Sequence, residues 1–251
     1  MGKRSRIWGR YCVLLLCAGI AAGHSFKKFE CNIETGLATA GYSDIRIPGT
    51  TGTLISFSEE LETEPTIFIR GRFTYFFDRS NSLSLLVAPL KLYASGSVDR
   101  QVIFESETFP PNVSLSGTFS FNSYRISYQH YWFLGDKVDV GLGITAKIRD
   151  AAIRLADSTH FAEKTNVGFV PLIRFNLAWR ILHPFTLILD GDALAAPQGR
   201  AEDIAIAVQG DVTDRAAFRF GYRVLEGGSD VDEVYSFTWV NFFFGGVVIR
   251  L

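Results

Sequence analysis

Apolar and polar residues alternate with a period of two over most of this chain, the pattern of strands whose two faces meet different surroundings. In "SYRISYQHYWF", Tyr124, Ile126, Tyr128 and Trp132 fall on one face and Ser123, Arg125, Ser127 and Gln129 on the other. In "VDVGLGITAKIR", Val138, Val140, Leu142, Ile144, Ala146 and Ile148 oppose Asp139, Gly141, Gly143, Thr145, Lys147 and Arg149. No sustained 3.6-residue period competes with this alternation, so the elements predicted are strands throughout.

Ten such segments are predicted, near 35–46, 64–77, 82–96, 116–133, 137–150, 165–180, 184–195, 201–212, 215–226 and 234–251. The connections at 78–82, 134–137, 182–184 and 213–216 are tight. Those at 47–63, 97–115 and 151–164 are long, and those at 196–200 and 227–233 intermediate. An even number of antiparallel strands, with short turns on one rim and longer loops on the other, is the layout of an outer-membrane barrel. Both termini then fall on the short-turn rim, the periplasmic side. The expected fold class is all-β: a transmembrane antiparallel up-and-down β-barrel of about ten strands, or eight or twelve if a hairpin has been split or merged.

The ending "FTWVNFFFGGVVIRL" sharpens this expectation, because it is apolar at almost every position and carries a single charge, Arg250. An apolar outward face suits lipid, and closing the sheet removes the edges that hydrocarbon would not tolerate. A soluble periplasmic barrel or sandwich would turn the same faces inward. What favours lipid is the opposite face, which carries Gly, Ser, Thr and isolated Arg or Lys. Aromatics near strand ends, among them Phe73, Tyr75, Phe77, Trp132, Trp179 and Tyr235, are placed like interfacial girdles. Two places fit badly: the apolar parity changes in "SLSLLVAPLKLYA" between Leu83, Leu85, Val87 and Leu90, Leu92, which a bulge at Ala88-Pro89 would explain, and Asn241 shares the parity of Ile249 and Leu251.

The first 23 residues, "MGKRSRIWGRYCVLLLCAGIAAG", hold Lys3, Arg4, Arg6 and Arg10 before an apolar run and small residues. This reads as a secretory signal peptide over 1–23, cleaved before a single domain at 24–251. Cys12 and Cys17 would leave with it, and Cys31 alone cannot form an internal disulfide. Losing four of the 25 Lys and Arg leaves 21 against 26 Asp and Glu, a formal charge near −5 that gives nucleic-acid binding no support.

Strand parity places Arg70, Arg72, Lys91, Arg125, Lys147, Arg149, Arg174, Arg219 and Arg223 on the inner face, with Asp44, Asp139, Asp190, Asp192 and Asp211 facing them. These charges either fill a small barrel as ion pairs or line a narrow pathway that prefers anions. Asp190 and Asp192 lie two apart, about 7 Å by strand rise, and could do acid/base work. Abundant inner-face arginine favours ion pairing instead. "DSTH" brings Asp157, Ser158 and His160 close in sequence, a weak nucleophilic candidate. Glu226, Asp230, Asp232 and Glu233 around Gly227-Gly228 lack a full Ca²⁺-loop spacing. No catalytic residue, metal site or cofactor is assigned. The loop 97–115, with Ile103, Phe104, Phe109, Pro110 and Pro111, is apolar enough to fold inward as a plug or to meet a partner.

Over its whole mature length the chain resembles small bacterial outer-membrane β-barrel proteins, through this layout and an ending like their assembly signal: Gly246, then Ile249 and Leu251. Phe244 and Leu251 depart from that signal, which prefers a polar residue and a terminal aromatic there. "FRFGYRVLEGGSDVDEVYSF" is similar in style to a hairpin of OmpW-like barrels. The resemblance implies a Gram-negative outer-membrane location and contact with outer-membrane lipid, lipopolysaccharide and the barrel-assembly machinery. It carries no activity over and leaves the oligomeric state open. The expected function is a non-enzymatic structural barrel or narrow small-solute channel. The alternatives are a surface-interaction barrel acting through its outer loops and a lipid-active hydrolase.

Overall fold

The computed structural model describes residues 27–251, so the leader read at 1–23 lies outside the described residues. Every regular element among them is a strand: β1 (Phe29–Arg46), β2 (Ile55–Ser56), β3 (Leu61–Thr63), β4 (Thr66–Phe76), β5 (Asn81–Ala88), β6 (Lys91–Gly96), β7 (Val102–Phe104), β8 (Glu107–Phe109), β9 (Leu115–Leu134), β10 (Val138–Ala156), β11 (Phe161–Leu182), β12 (Phe185–Ala196), β13 (Gly199–Thr213), β14 (Ala216–Val231) and β15 (Val234–Arg250). Pairing runs antiparallel from β9 through β10, β11, β12, β13, β14 and β15 to β1, then through β4 and β5 back to β9. The result is a closed up-and-down barrel of ten staves. β6 continues β5 along β9, and β3 continues β4 by pairing with β6.

The alternation does the sorting. Ile126 is 54% exposed on the outer face, while Arg125 and Ser127 beside it are 3% and 1% exposed inside. The outer face is a nearly continuous apolar surface, with Ile67, Ile144, Val167, Phe220 and Phe243 among its most exposed residues. A folded chain keeps so much contiguous apolar surface only where lipid or a partner covers it. Tight turns at 77–80, 135–137, 183–184 and 214–215 share one rim with both ends of the described chain, where Phe29 and Leu251 exchange backbone hydrogen bonds. Much of 151–164, 196–200 and 227–233, expected as loop, is strand that projects beyond the opposite rim.

Two expectations about strand parity are corrected. No bulge lies at Ala88-Pro89: Ala88 pairs with Ser123 and Lys91 with Ser120, in one unbroken register. What changes is the interior, from Ser82 and Ser84 near the turn rim to buried Leu90, Leu92 and Ala94 above. Lys91 therefore points outward, its Nζ 5.0 Å from the centroid of the outward Tyr93 ring. The second correction is at Gly41, where an extra residue shifts the register of β1 against β15 between Ala40 and Tyr42. A Cβ at Gly41 would sit 2.6 Å from the Trp239 side chain, so the bulge needs glycine. It turns Ser43 and Ile45 inward and leaves Asp44 on the outer face.

The interior is layered as a result. Charged and polar residues fill the middle. Above them lies an apolar core in which Ile45, Ile47, Ile55, Phe57, Leu61, Val102, Phe104, Phe109, Leu115 and Leu155 are almost wholly buried. The β7–β8 hairpin caps this core, which answers the alternatives for 97–115: the loop folds inward. It is tied down by Thr53 N to Ile103 O at 2.8 Å, Glu105 N to Ile47 O at 2.8 Å and the Lys164–Glu105 ion pair at 2.9 Å.

Candidate functional site

Halfway along the barrel, side chains from eight staves meet across the lumen. Asp203 on β13 is the centre. Its Oδ2 accepts from Arg70 Nη1 at 2.9 Å and Arg125 Nη2 at 2.6 Å, and its Oδ1 from Arg223 Nη1 at 2.5 Å. Arg125 also donates to Asp192 at 2.7 Å, and Thr145 Oγ1 donates to the other oxygen of Asp192 at 2.6 Å. Arg174 binds Asp190 and lies 3.6 Å from Asp192, while Arg223 donates to Glu34 at 3.0 Å. Every one of these charged groups is buried.

Charges this far from water persist only when paired and hydrogen-bonded. Here β4, β9 and β14 supply arginines whose carboxylate partners stand on β13, β12 and β1, so the pairs knit opposite walls together. This layer of ion pairs, the seal, spans the lumen from wall to wall. Arg72 and Arg219 lie at its margin, Arg72 donating to Ser84 at 3.1 Å and Arg219 to Gln209 at 2.8 Å, with Glu34 3.8 Å from Arg219. Six arginines thus meet four carboxylates, and the layer keeps a positive excess. Asp139 and Asp211 sit below it, paired with Arg180 and Arg250 near the turn rim.

Two carboxylates of the seal were missing from the sequence-based set. Glu34 lies just before the strand expected to start at residue 35. Asp203 shares the parity of Asp211 on the same strand, so the signal for it was present. Conversely, Lys147 and Arg149 face inward but stand apart from the seal. Lys147 Nζ makes no ion pair or hydrogen bond among the described residues and rests 4.7 Å from the centroid of the Phe121 ring. Arg149 bonds only the Asn166 carboxamide, and its Nε is buried without a partner.

These two cations line a cavity of about 680 Å³ on the outer side of the seal, bounded by the outer halves of β9 to β15. Its walls include Phe119, Phe121, Ile153, Leu194, Leu225 and Val240. Glu226 also reaches it, but Arg200 and Tyr42 both donate to that carboxylate. A concave, mainly apolar space with a few converging polar groups is the ordinary form of a small-molecule site.

The nucleophilic and acid/base candidates are otherwise engaged. Asp157 accepts from the backbone N–H of Thr159 at 2.7 Å and of His160 at 2.6 Å, which makes the "DSTH" segment a hairpin turn. Asp190 and Asp192 are both clamped by Arg174. Asn241 faces outward, where Tyr222 Oη at 2.6 Å and Trp239 Nε1 at 2.7 Å donate to its carbonyl oxygen. Two aromatic side chains thus make a polar side chain tolerable on the outer face. At the carboxyl end, Gly246 faces inward and Ile249 and Leu251 outward. Phe244, in place of a polar residue, is buried beneath the Arg223 guanidinium, 5.6 Å from the ring centroid.

The outer membrane protease OmpT from Escherichia coli superposes with a TM-score of 0.55 at 10% identity, over 89% of this chain and 97% of that one. The chain folds as an outer-membrane-type β-barrel. Ail of Yersinia pestis, at 11% identity over 90% of this chain and 100% of that one, scores 0.37. Neisserial surface protein A, at 13% identity over 89% and 97%, scores 0.36. At such scores and identities neither adds to the argument, and the likeness to OmpT is one of fold alone. No protein-family model and no curated protein sequence matches the chain.

Proposed function

We propose that this chain is a non-enzymatic outer-membrane barrel, sealed at its waist, that takes up a small molecule in the chamber on its outer side. The observation that carries this reading is Arg125, buried in mid-lumen and bound at once to Asp192 and Asp203. A pathway through the barrel would have to separate those pairs. The reading includes an exported precursor whose leader is cleaved, insertion by the barrel-assembly machinery of a Gram-negative cell, and lipid and lipopolysaccharide around the apolar wall. The positive excess of the seal and the two cations of the chamber that have no carboxylate partner among the described residues favour an anionic solute over a neutral one.

A surface-interaction role is less well supported, because the loop 97–115 spends Val102, Phe104 and Phe109 on the barrel's own core. The test is conductance of the purified protein in planar bilayers. The native chain is expected to give no steady current, while the Arg125→Ala/Asp203→Ala double variant, with the central pair deleted, opens. Steady current through the native chain would overturn the sealed waist.

A further inference from the structure

The wall of the barrel is incomplete on one side. The ladder between β11 and β12 runs from Leu182 with Phe185 up to Ile173 with Ala193 and ends there. Above that point β11 continues to Phe161, still paired with β10, and β12 continues to Ala196, still paired with β13. The two strands have parted. Pro171, two residues above the last pair, has no N–H to give to a ladder. Pro197 immediately follows β12. The cavity agrees with this ladder end, because Phe169 and Pro171, whose side chains point outward, line the same space as inward Phe121, Lys147 and Val240.

What lies outside the gap is apolar. Phe169 is 64% exposed, and Val167 and Ile173 on the same face of β11 are also exposed, so this stretch belongs to the lipid-facing surface. What lies inside is a cation that lacks a partner. Lys147 is 2% exposed, aims into the cavity and has no carboxylate within ion-pairing reach among the described residues. An ammonium withdrawn from water in this way is costly unless an anion joins it. Arg149, two residues along on the same face with its Nε unsatisfied, adds a second donor. A small inorganic anion would answer the charge but not the apolar walls or the lateral opening.

Resting on the reading of the outer chamber as a binding site, we propose that the gap between β11 and β12 admits an anionic single-chain amphiphile from the outer leaflet. Its carboxylate or phosphate head binds Lys147 and Arg149, and its chain runs past Ile153 and Leu194 to leave the barrel beside Phe169. The positively charged floor and the sealed waist hold the ligand in the outer half.

The experiment uses the full mature protein in phosphatidylcholine nanodiscs, with radiolabelled laurate as the probe. Saturable laurate binding above empty discs is expected, displaced by dodecyl phosphate but not by inorganic phosphate or dodecyltrimethylammonium. Lys147→Met and the milder Lys147→Gln, each checked for a heat-dependent gel shift, are expected to weaken binding about tenfold, as loss of a charge-assisted contact does. Ala196→Trp, at the gap, is expected to slow uptake with less effect on affinity. Displacement by inorganic phosphate would reduce the site to one for a small anion and overturn the amphiphile. Unchanged affinity in both Lys147 variants would overturn the head-group site, and unchanged uptake in Ala196→Trp would overturn the lateral route. No laurate binding at all would sink the inference while leaving the sealed-waist reading, which conductance tests separately, in place.

Discussion

Arg125 on β9 reaches across the lumen to Asp203 on β13, its Nη2 2.6 Å from Oδ2, with both side chains withdrawn from solvent. Three staves, β10, β11 and β12, stand between them on one side of the ring and five, β14, β15, β1, β4 and β5, on the other. A contact of this kind joins walls that share no backbone hydrogen bonds. It makes the barrel a filled body, in which the interior ion pairs and the closed sheet stabilise one another.

Asp203 is the most sensitive position in that body. Changing Asp203→Asn leaves Arg70, Arg125 and Arg223 short of their shared anion, and breaking a buried pair of this sort costs about 3–5 kcal/mol. The temperature of the heat-dependent shift on SDS gels should fall markedly. An unchanged shift would mean that water or ions already screen the cluster.

Asn241 offers a different test, on the lipid side. Because Tyr222 and Trp239 both donate to its carbonyl oxygen, Asn241→Ala should destabilise by about 1 kcal/mol. Combining it with Tyr222→Phe should cost less than the two single changes together. Strict additivity of denaturant midpoints in this cycle would show that the bond contributes nothing.

The seam that closes the sheet lies between β1 and β15, and Gly246 sits in it. A Cβ there would fall 2.6 Å from Ile33 O, a backbone atom that cannot move without disturbing the ladder. Gly246→Val should therefore lower the fraction of protein that reaches the heat-modifiable form. A normal folded yield would remove the seam from the list of assembly constraints.

The outer cap should loosen in acid. Arg100 donates to Glu60, whose carboxyl also accepts from Ser56 N at 2.9 Å. The Arg100 bond holds Glu60 below its ordinary value of 4.5, against a smaller opposing effect of partial burial. A lowered carboxyl contributes stability that is complete above pH 4.5 and lost as the pH falls through the lowered value. Since both side chains remain partly exposed, the effect should not exceed ~1 kcal/mol. Protection of the amides in 97–115, relative to their intrinsic exchange, should fall as the pH drops below 4.5 in the native protein, and Glu60→Gln should already show the reduced protection at pH 7.

The ten staves were legible because each keeps one apolar face for lipid, and a period of two survives even where single strands are weakly patterned. Errors arose where the interior departed from the simple contrast of polar inside and apolar outside. Leu90 and Leu92 point inward into the apolar core, so their parity looked like a bulge and Lys91 was placed in the lumen. Asp44 was misplaced by the bulge at Gly41, which only the pairing with β15 reveals. Most of the lumenal arginines were readable from parity, but their division into a paired seal and two chamber cations with no carboxylate partner among the described residues was not. That division depends on which opposing walls meet. Nor could one sequence give the register between β11 and β12, although Pro171 was a local sign that a ladder would be interrupted.

The most direct measurement of the account is maleimide labelling from outside the cell. Two variants are made on a Cys31→Ser background: Ala201→Cys, which lines the outer chamber, and Asn176→Cys, which faces the lumen below Arg174. An impermeant maleimide added to intact cells should label Ala201→Cys and leave Asn176→Cys untouched until the outer membrane is broken. Labelling of both in intact cells would contradict the sealed waist, and labelling of neither would contradict the orientation of the barrel in the outer membrane.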